Sequence, residues 1–433
     1  MSADLWLLSV FLLALLAGLP VAIALGIGGA AGILAGLSPD MLATLGTNTY
    51  NGIAKYPLIA IPLFILTGLV FERAGVAGAL VKLAQRVVGR RHGGLAVVAV
   101  LVCMIMGGMS GSGPADAAAV ATVLLPSMRK AGYPAPFSAS LIAASASTAI
   151  LIPPSIALIL YSIVVPGVDL RALFAAGLVP GVLAGLSLLV PAIWLSRRHG
   201  WEAPSGEAEE KEPFWPVFHA ALPALFAPVI ILGGLRSGLF TPTEAAVVAV
   251  AYGLIVGVLI FRNLSLRDLG DMLVEAAVTS GVVMFIIALA GIFAWAGTTL
   301  GTFEHLAHAL LSLSDQGWVL LLLVMVLVLI AGMLLDAISI YLIVIPVVLP
   351  LMNHFGWNPV WFGVVLAMNV AIGQFTPPVA VNLMVTTRVA GIRLEHTFYW
   401  TLLFVLAMGC ALLLVILFPA LALWLPEALG YVT

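Results

Sequence analysis

Long apolar stretches separated by short polar connections run through nearly the whole chain. They lie near residues 5–37, 47–71, 94–128, 136–165 and 172–196, and then near 217–236, 245–262, 275–302, 318–352, 360–390 and 398–425. Several reach the roughly 20 residues that a helix needs to cross a hydrocarbon core. Only helices satisfy their own backbone over such lengths in lipid, and the short alternating segments of a membrane β-barrel are not visible. The pattern therefore predicts an all-α polytopic membrane protein.

The polar residues that interrupt this pattern cluster near the middle of the chain. Residues 197–213 combine Arg, Glu and Lys with Pro and Gly, which is typical of an aqueous linker. We therefore expect two membrane regions, 1–196 and 214–433, joined by a charged linker.

The two regions repeat one another at a constant spacing. Pro126 and Pro350 are 224 positions apart, and so are the double prolines 153–154 and 377–378. Several glycines keep the same spacing, such as Gly108 and Gly332. Internal repeats of this kind are typical of secondary transporters. The repeats are inverted if each half crosses the membrane an odd number of times, and the sequence leaves this number open. A duplication of membrane helices without any transport role is the alternative.

Two apolar stretches are broken by polar or flexible residues, which predicts broken helices over about 94–128 and 318–352. In the first, the hydroxyls of Ser110 and Ser112 and the carbonyls freed by the break form a candidate site for a hard cation such as sodium. Asp116 follows and is a further possible cation-binding residue. In the second, Asp336 lies deep in apolar sequence and calls for a partner or an ion. Helix capping is the alternative for both carboxylates.

The double prolines mark two further breaks. Each pair removes two backbone donors, so that the carbonyls before it become available to a ligand. Polar side chains that could bind substrate or ion lie beside them, namely Thr148, Ser155, Asn369, Gln374, Thr376 and Asn382. Kinks that serve packing alone remain the alternative.

Re-entrant hairpins are predicted over about 47–71 and 275–302. An ordinary short helix with a loop is equally compatible with these two segments.

Composition narrows the classes of function. The chain has 63% hydrophobic and only 8% charged residues, with a net charge of −2, whereas soluble domains average about 25% charged residues. No basic patch indicates nucleic acid, and no nucleotide-binding G-x-x-x-x-G-K motif indicates an ATP-driven pump. Ser110 has no histidine partner in a matching apolar segment, so that we expect no enzyme activity.

The motifs together resemble the large membrane subunit of tripartite ATP-independent periplasmic (TRAP) transporters. The matching stretches fall in order along nearly the whole chain, at Pro57–Gly68, Met109–Ala115, Pro153–Ile159, Phe240–Ala246 and Thr376–Leu383. No single stretch is specific, but the ordered set is.

The resemblance implies an elevator-type carrier of the bacterial inner membrane with inverted repeats, hairpins and discontinuous helices. It implies sodium as the coupling ion, and no other cofactor, for symport of a small organic acid. A periplasmic binding protein would deliver the substrate, and a separate small membrane subunit would pack on the carrier. The cation sites would include Ser110, Gly111, Ser112, Asp336, Thr376 and Pro377. An ion channel, or a carrier that needs no binding protein, is the alternative.

Overall fold

The computed structural model describes residues 3–89, 91–202 and 213–432, and all regular structure within these ranges is helical. Most of the predicted linker, residues 203–212, lies outside the described residues. Before the linker, the helices are α1 Ala3–Leu16, α2 Val21–Gly36, α3 Thr44–Ile53, α4 Ala60–Arg73, α5 Val76–Val88, α6 Gly94–Ser110, α7 Gly113–Lys130, α8 Ala135–Ala146, α9 Ile156–Val164 and α10 Leu170–Arg198. Short 3-10 turns occupy Pro39–Ala43, Tyr56–Ile59 and Ser147–Ile150.

The second half repeats this order with fewer interruptions. Its helices are α11 Phe214–Arg236, α12 Pro242–Ile255, α13 Leu266–Thr299, α14 Thr302–Leu311, α15 Gly317–Gly332, α16 Ala337–Phe355, α17 Pro359–Gly373, α18 Val381–Ala390, α19 Phe398–Leu417 and α20 Ala420–Ala428. A π-helical turn, Val256–Ile260, extends α12, and a 3-10 turn, Leu394–Thr397, precedes α19. In the described chain, seven helical segments are long and apolar enough to cross a membrane.

The helix boundaries follow the spacing seen in the sequence. Helices α7 and α16 begin 224 positions apart, and so do α8 and α17. Both double prolines contain a cis peptide bond, Pro153–Pro154 and Pro377–Pro378, at equivalent points after α8 and α17. The two halves are thus structural repeats.

The contacts between the halves show how the repeats are related. Helix α8 packs on α18 while α9 packs on α17, and α7 packs on α18 while α16 packs on α9. Each contact therefore has a counterpart in which the equivalent helices exchange places, as a two-fold axis requires. The start of one crossing, α8, lies beside the end of the other, α18, so that the two crossings run antiparallel. The repeats are inverted, and the predicted all-α polytopic membrane fold is confirmed.

The hairpin predicted over about 275–302 is wrong. Helix α13 runs without a break from Leu266 to Thr299, and it begins at a capping box between Ser265 and Asp268. The segment contains no proline, and its glycines remain helical because nothing removes a backbone hydrogen bond. Over about 47–71 a break does exist, at residues 54–55. There α3 packs on α13, whereas α4 packs on α12 and α13.

The predicted broken helices are pairs of separate helices. Residues 111 and 112 connect α6 to α7, and residues 333–336 connect α15 to α16. We call residues 110–113 junction 1 and residues 332–337 junction 2. We call residues 151–155 proline break 1 and residues 374–380 proline break 2.

Junction 2 meets α17 through two glycines. A Cβ atom on Gly373 would lie 2.6 Å from the Cα of Gly332, and one on Gly332 would lie 3.0 Å from the Cα of Gly373. Both obstacles are backbone atoms, so that no side-chain rotation can relieve them. Glycine at these positions is what allows α15 and α17 to approach at the centre of the second repeat.

We expect Gly373→Ala to destabilise the protein by about 1–3 kcal/mol, because the added methyl group must push two backbones apart. Thermal unfolding in detergent would show a lower midpoint. Gly409→Ala, in the middle of α19 with no atom within 4 Å of the added methyl group, controls for helix propensity and should not lower it. An equal midpoint for both variants would contradict the close contact.

Candidate functional site

Junction 1 lies directly against proline break 1. Gly111 ends α6 with a left-handed backbone, φ +59°, and a Cβ atom there would come within 2.6 Å of the carbonyl oxygen of Pro154. Both the backbone angle and the close approach require glycine. As a result, α7 and α9 begin next to one another, and their N-termini place two sets of unpaired N–H groups in one region.

The side chains of junction 1 form a short chain of hydrogen bonds. The Ser110 hydroxyl donates to Asp116 Oδ1 over 2.7 Å, and the backbone N–H of Ser112 donates to Ser110 Oγ over 3.1 Å. Asp116 is fully buried, and its Oδ2 atom has no hydrogen-bond partner among the described residues. A buried carboxylate oxygen without a partner is costly unless it binds a cation or a proton.

Junction 2 places its carboxylate differently. Asp336 is the N-cap of α16, and its side chain accepts from the N–H groups of Ile338 and Ser339 at 3.0 and 3.3 Å and from the Ser339 hydroxyl. The structure therefore has the capping geometry that the sequence left as an alternative. A carboxylate has about four lone-pair sites, so that capping leaves Asp336 able to bind a cation. Ser112, the equivalent N-cap of α7, makes no side-chain capping bond.

Proline break 2 is held by the backbone of junction 2. The N–H groups of Val379 and Ala380 donate to the carbonyl oxygen of Met333, at 3.2 and 3.3 Å. Ala380 adopts a left-handed backbone, φ +51°, which is uncommon for a residue other than glycine. This region also contains the predicted residues Gln374, Thr376 and Pro377; the Thr376 hydroxyl donates to the carbonyl oxygen of Ile372.

The polar side chains in proline break 1 and in the turn just before it are buried, and their hydroxyl protons are already used. Thr148 donates to the carbonyl oxygen of Ser145 over 2.7 Å, and Ser155 donates to that of Ile150 over 2.6 Å. Ser155 also caps α9. What these hydroxyls can still offer a ligand is an oxygen lone pair rather than a proton.

We call junction 1 with proline break 1, and junction 2 with proline break 2, the two half-sites. Asn382 joins them. It lies on α18 in the second repeat, yet its Nδ2 would be 2.9 Å from a Cβ atom on Gly113 of junction 1. Its Nδ2 donates to the carbonyl oxygen of Ala143 over 3.4 Å, and its buried Oδ1 has no partner within the described chain. The first turn of α7 therefore lies beside an amide oxygen from the opposite repeat.

The side chain of Asn369 is held by a neighbouring helix of its own repeat. Its Nδ2 donates to the carbonyl oxygen of Met325 over 2.6 Å, which ties α17 to α15. Sequence reasoning also missed contributors to the site, namely the carbonyl oxygen of Met333, the approach at Gly113 and the contact of Gly68 with Ser110. The type of a residue does not reveal which main-chain atoms will make contacts. Only the glycines in the sequence could have suggested these close approaches.

Comparison with known sequences decides the family. The sequence profile of the DctM component of tripartite ATP-independent periplasmic transporters matches residues 8–421. The chain belongs to this DctM family. The resemblance seen in the sequence is confirmed, and the chain is a multi-pass inner-membrane transport permease rather than an enzyme.

Several relatives of this DctM-family chain are similar over most of its length. The 2,3-diketo-L-gulonate TRAP transporter large permease protein YiaN of Escherichia coli is 38% identical over 402 residues, 93% of this chain and 94% of the relative. The C4-dicarboxylate large permease DctM of Pseudomonas aeruginosa is 37% identical over 406 residues, 94% of each chain. The isethionate permease DctMQ of Oleidesulfovibrio alaskensis is 36% identical over 96% of this chain, which spans only 65% of that relative.

Solved structures support the fold of this DctM-family chain. The YdaH transporter of Alcanivorax borkumensis superimposes with a TM-score of 0.65 over 98% of this chain and 100% of its own, at 16% identity. The MtrF protein of Neisseria gonorrhoeae gives a TM-score of 0.55 over 87% of this chain and 85% of its own, at 13% identity. At these identities the likeness extends to the fold alone.

We expect Asp336→Ala to destabilise the permease by about 0.5–2 kcal/mol, because two N–H groups at the start of α16 lose their acceptor. Asp336→Asn should cost much less, since asparagine caps helices about as well as aspartate. Thermal unfolding in detergent without sodium would separate the two variants. An asparagine variant as unstable as the alanine variant would show that the charge of Asp336 stabilises the fold, and not only its capping oxygen.

Proposed function

We propose that this permease carries a small organic acid across the inner membrane together with sodium. It would act as the large subunit of a binding-protein-dependent TRAP system. The observation that carries the proposal is the pair of repeat-related half-sites. Each places a junction and a proline break in contact, and each contributes one carboxylate, Asp116 or Asp336.

The substrate class follows from the chemistry of the half-sites and from the relatives. Helix N-termini attract anions, and four begin at the two half-sites, those of α7, α9, α16 and α18. The named relatives carry isethionate, C4-dicarboxylates, 2,3-diketo-L-gulonate or, in Vibrio cholerae, sialic acid, which are all organic acids. We assign substrate contacts to Ser155, Asn382, Thr148 and Gln374. Asn369 would act on the substrate indirectly, by holding α17 in position.

Sodium suits the oxygen atoms of the same region. The cation ligands would come from Ser110, Gly111, Ser112, Asp336, Thr376 and Pro377, with Asp116 as a further ligand through its unpartnered oxygen. Hard cations prefer such carboxylate, hydroxyl and carbonyl oxygens. Moving an anion through a medium of low dielectric constant is costly, and sodium bound beside it offsets that charge.

An elevator movement suits the way the helices pack. Helices α7–α9 contact α16–α18 across the two-fold axis, and α6 and α15 pack on these helices within their own repeats. By contrast, α1 and α2 contact chiefly each other and α13, and α3 contacts chiefly α13. The first set would move as one body carrying both half-sites. The partners would be a separate small membrane subunit and a periplasmic binding protein; the name DctMQ of one relative is consistent with a large and a small component in one chain.

The test is uptake by proteoliposomes that contain the permease, its small membrane subunit and its binding protein. We expect uptake of organic acids only with an inward sodium gradient and only with the binding protein. Asp336→Asn should raise the sodium concentration for half-maximal uptake about 10- to 100-fold. This is the loss of affinity expected when one hydrogen bond or contact to a charged group is removed.

Asp315→Asn is the matched control, because Asp315 is an exposed carboxylate between α14 and α15. It should leave the sodium dependence unchanged. Uptake that ignores the sodium gradient would refute the coupling, and uptake without the binding protein would favour an independent carrier. A conductance that persists without substrate would favour a channel.

A further inference from the structure

A groove separates α10 and α20 from α11. It has a volume of ≈ 440 Å³. One wall is a single face of α10, from Arg171 through Phe174 and Ala175 to Leu178. The opposite wall is a face of α11 that ends at Arg236, and the end of the chain near Tyr431 closes one side.

The charges of the groove lie at one end. Arg171 is in the first turn of α10 and Arg236 is the last residue of α11. From these arginines, the apolar walls extend along both helices to Leu178 and Val229. Seven residues of helix correspond to about 10 Å. The groove is thus an apolar slot with two guanidinium groups at its mouth.

The two arginines are not equivalent. Arg171 binds Asp169, with 3.1 Å between Nη2 and Oδ2, and its guanidinium lies 5.7 Å from the centre of the Tyr431 ring. Arg236 forms no ion pair with any residue in the ranges 3–89, 91–202 and 213–432. Asp169 offsets the positive charge of Arg171, so that the mouth of the groove keeps a net charge of about +1. The N–H donors of the Arg236 guanidinium are available to a ligand.

We propose that this groove binds an anionic phospholipid, with the phosphodiester on Arg236 and an acyl chain along α10 and α11. An apolar slot in a bilayer fills with acyl chains, and basic pockets between membrane helices bind anionic headgroups. A soluble anion would use the arginines but would leave the apolar walls uncovered. The proposal is independent of sodium coupling.

The test uses the full-length permease in a neutral detergent, titrated with phosphatidylglycerol or phosphatidylcholine and followed by native mass spectrometry. We expect one phosphatidylglycerol to bind more tightly than phosphatidylcholine. Arg236→Gln should weaken phosphatidylglycerol about fivefold, and Arg171→Gln should weaken it less. Arg267→Gln, an exposed arginine outside the groove, should have no effect.

A second variant tests the apolar walls. Gly233 lines the groove, and a Cβ atom there would meet no other atom within 4 Å. Gly233→Phe should therefore fill the slot and abolish lipid binding. Gly281→Phe is the matched control, because Gly281 is a helical glycine with the same open surroundings on α13. It should bind lipid normally.

Three outcomes would overturn the proposal. Equal binding of both lipids would remove the role of the arginines. Inorganic phosphate that displaces the lipid, combined with normal binding by Gly233→Phe, would mean a site for free anions. Loss of the lipid when the small membrane subunit is added, with a crosslink from Gly233→Cys to that subunit, would mean that the groove is a protein interface.

Discussion

Every backbone polar group at membrane depth must find a partner inside the protein, because hydrocarbon offers none. The junctions and proline breaks interrupt the helical hydrogen bonds locally. Their free backbone groups find partners because one irregular segment packs against another. The N–H groups of Val379 and Ala380 use the carbonyl oxygen of Met333, and the N–H group of Asn382 uses that of Gln374. The same constraint therefore stabilises the fold and assembles the candidate site.

The repeats share a backbone but not their chemistry. At the N-caps of α7 and α16, Ser112 is equivalent to Asp336, whereas Asp116 is equivalent to the apolar Ile340. Asn382 corresponds to Leu158, so that only the second repeat sends an amide into the opposite half-site. A symmetric backbone with asymmetric side chains therefore gives two half-sites that differ in the position of the charge and in hydrogen-bonding groups.

The sequence predicted those features that proline and glycine determine. It predicted the repeat, both junctions and both proline breaks, because these residues alter the backbone directly. It failed over 275–302, where Gly281 and Gly291 without a proline leave α13 intact. It also could not place Asn369 against Met325 or bring Asn382 to Gly113, since both contacts depend on how distant helices pack.

The contacts between irregular segments also bear on coupling. A cation bound at junction 2 would alter the environment of Met333, whose carbonyl oxygen holds proline break 2. That break leads into α18, which carries Asn382 to the start of α7. A ligand bound at either half-site would therefore act on backbone that both repeats share. Differential binding to two arrangements of this shared backbone is what would link sodium to substrate, since a ligand shifts an equilibrium only through such a difference.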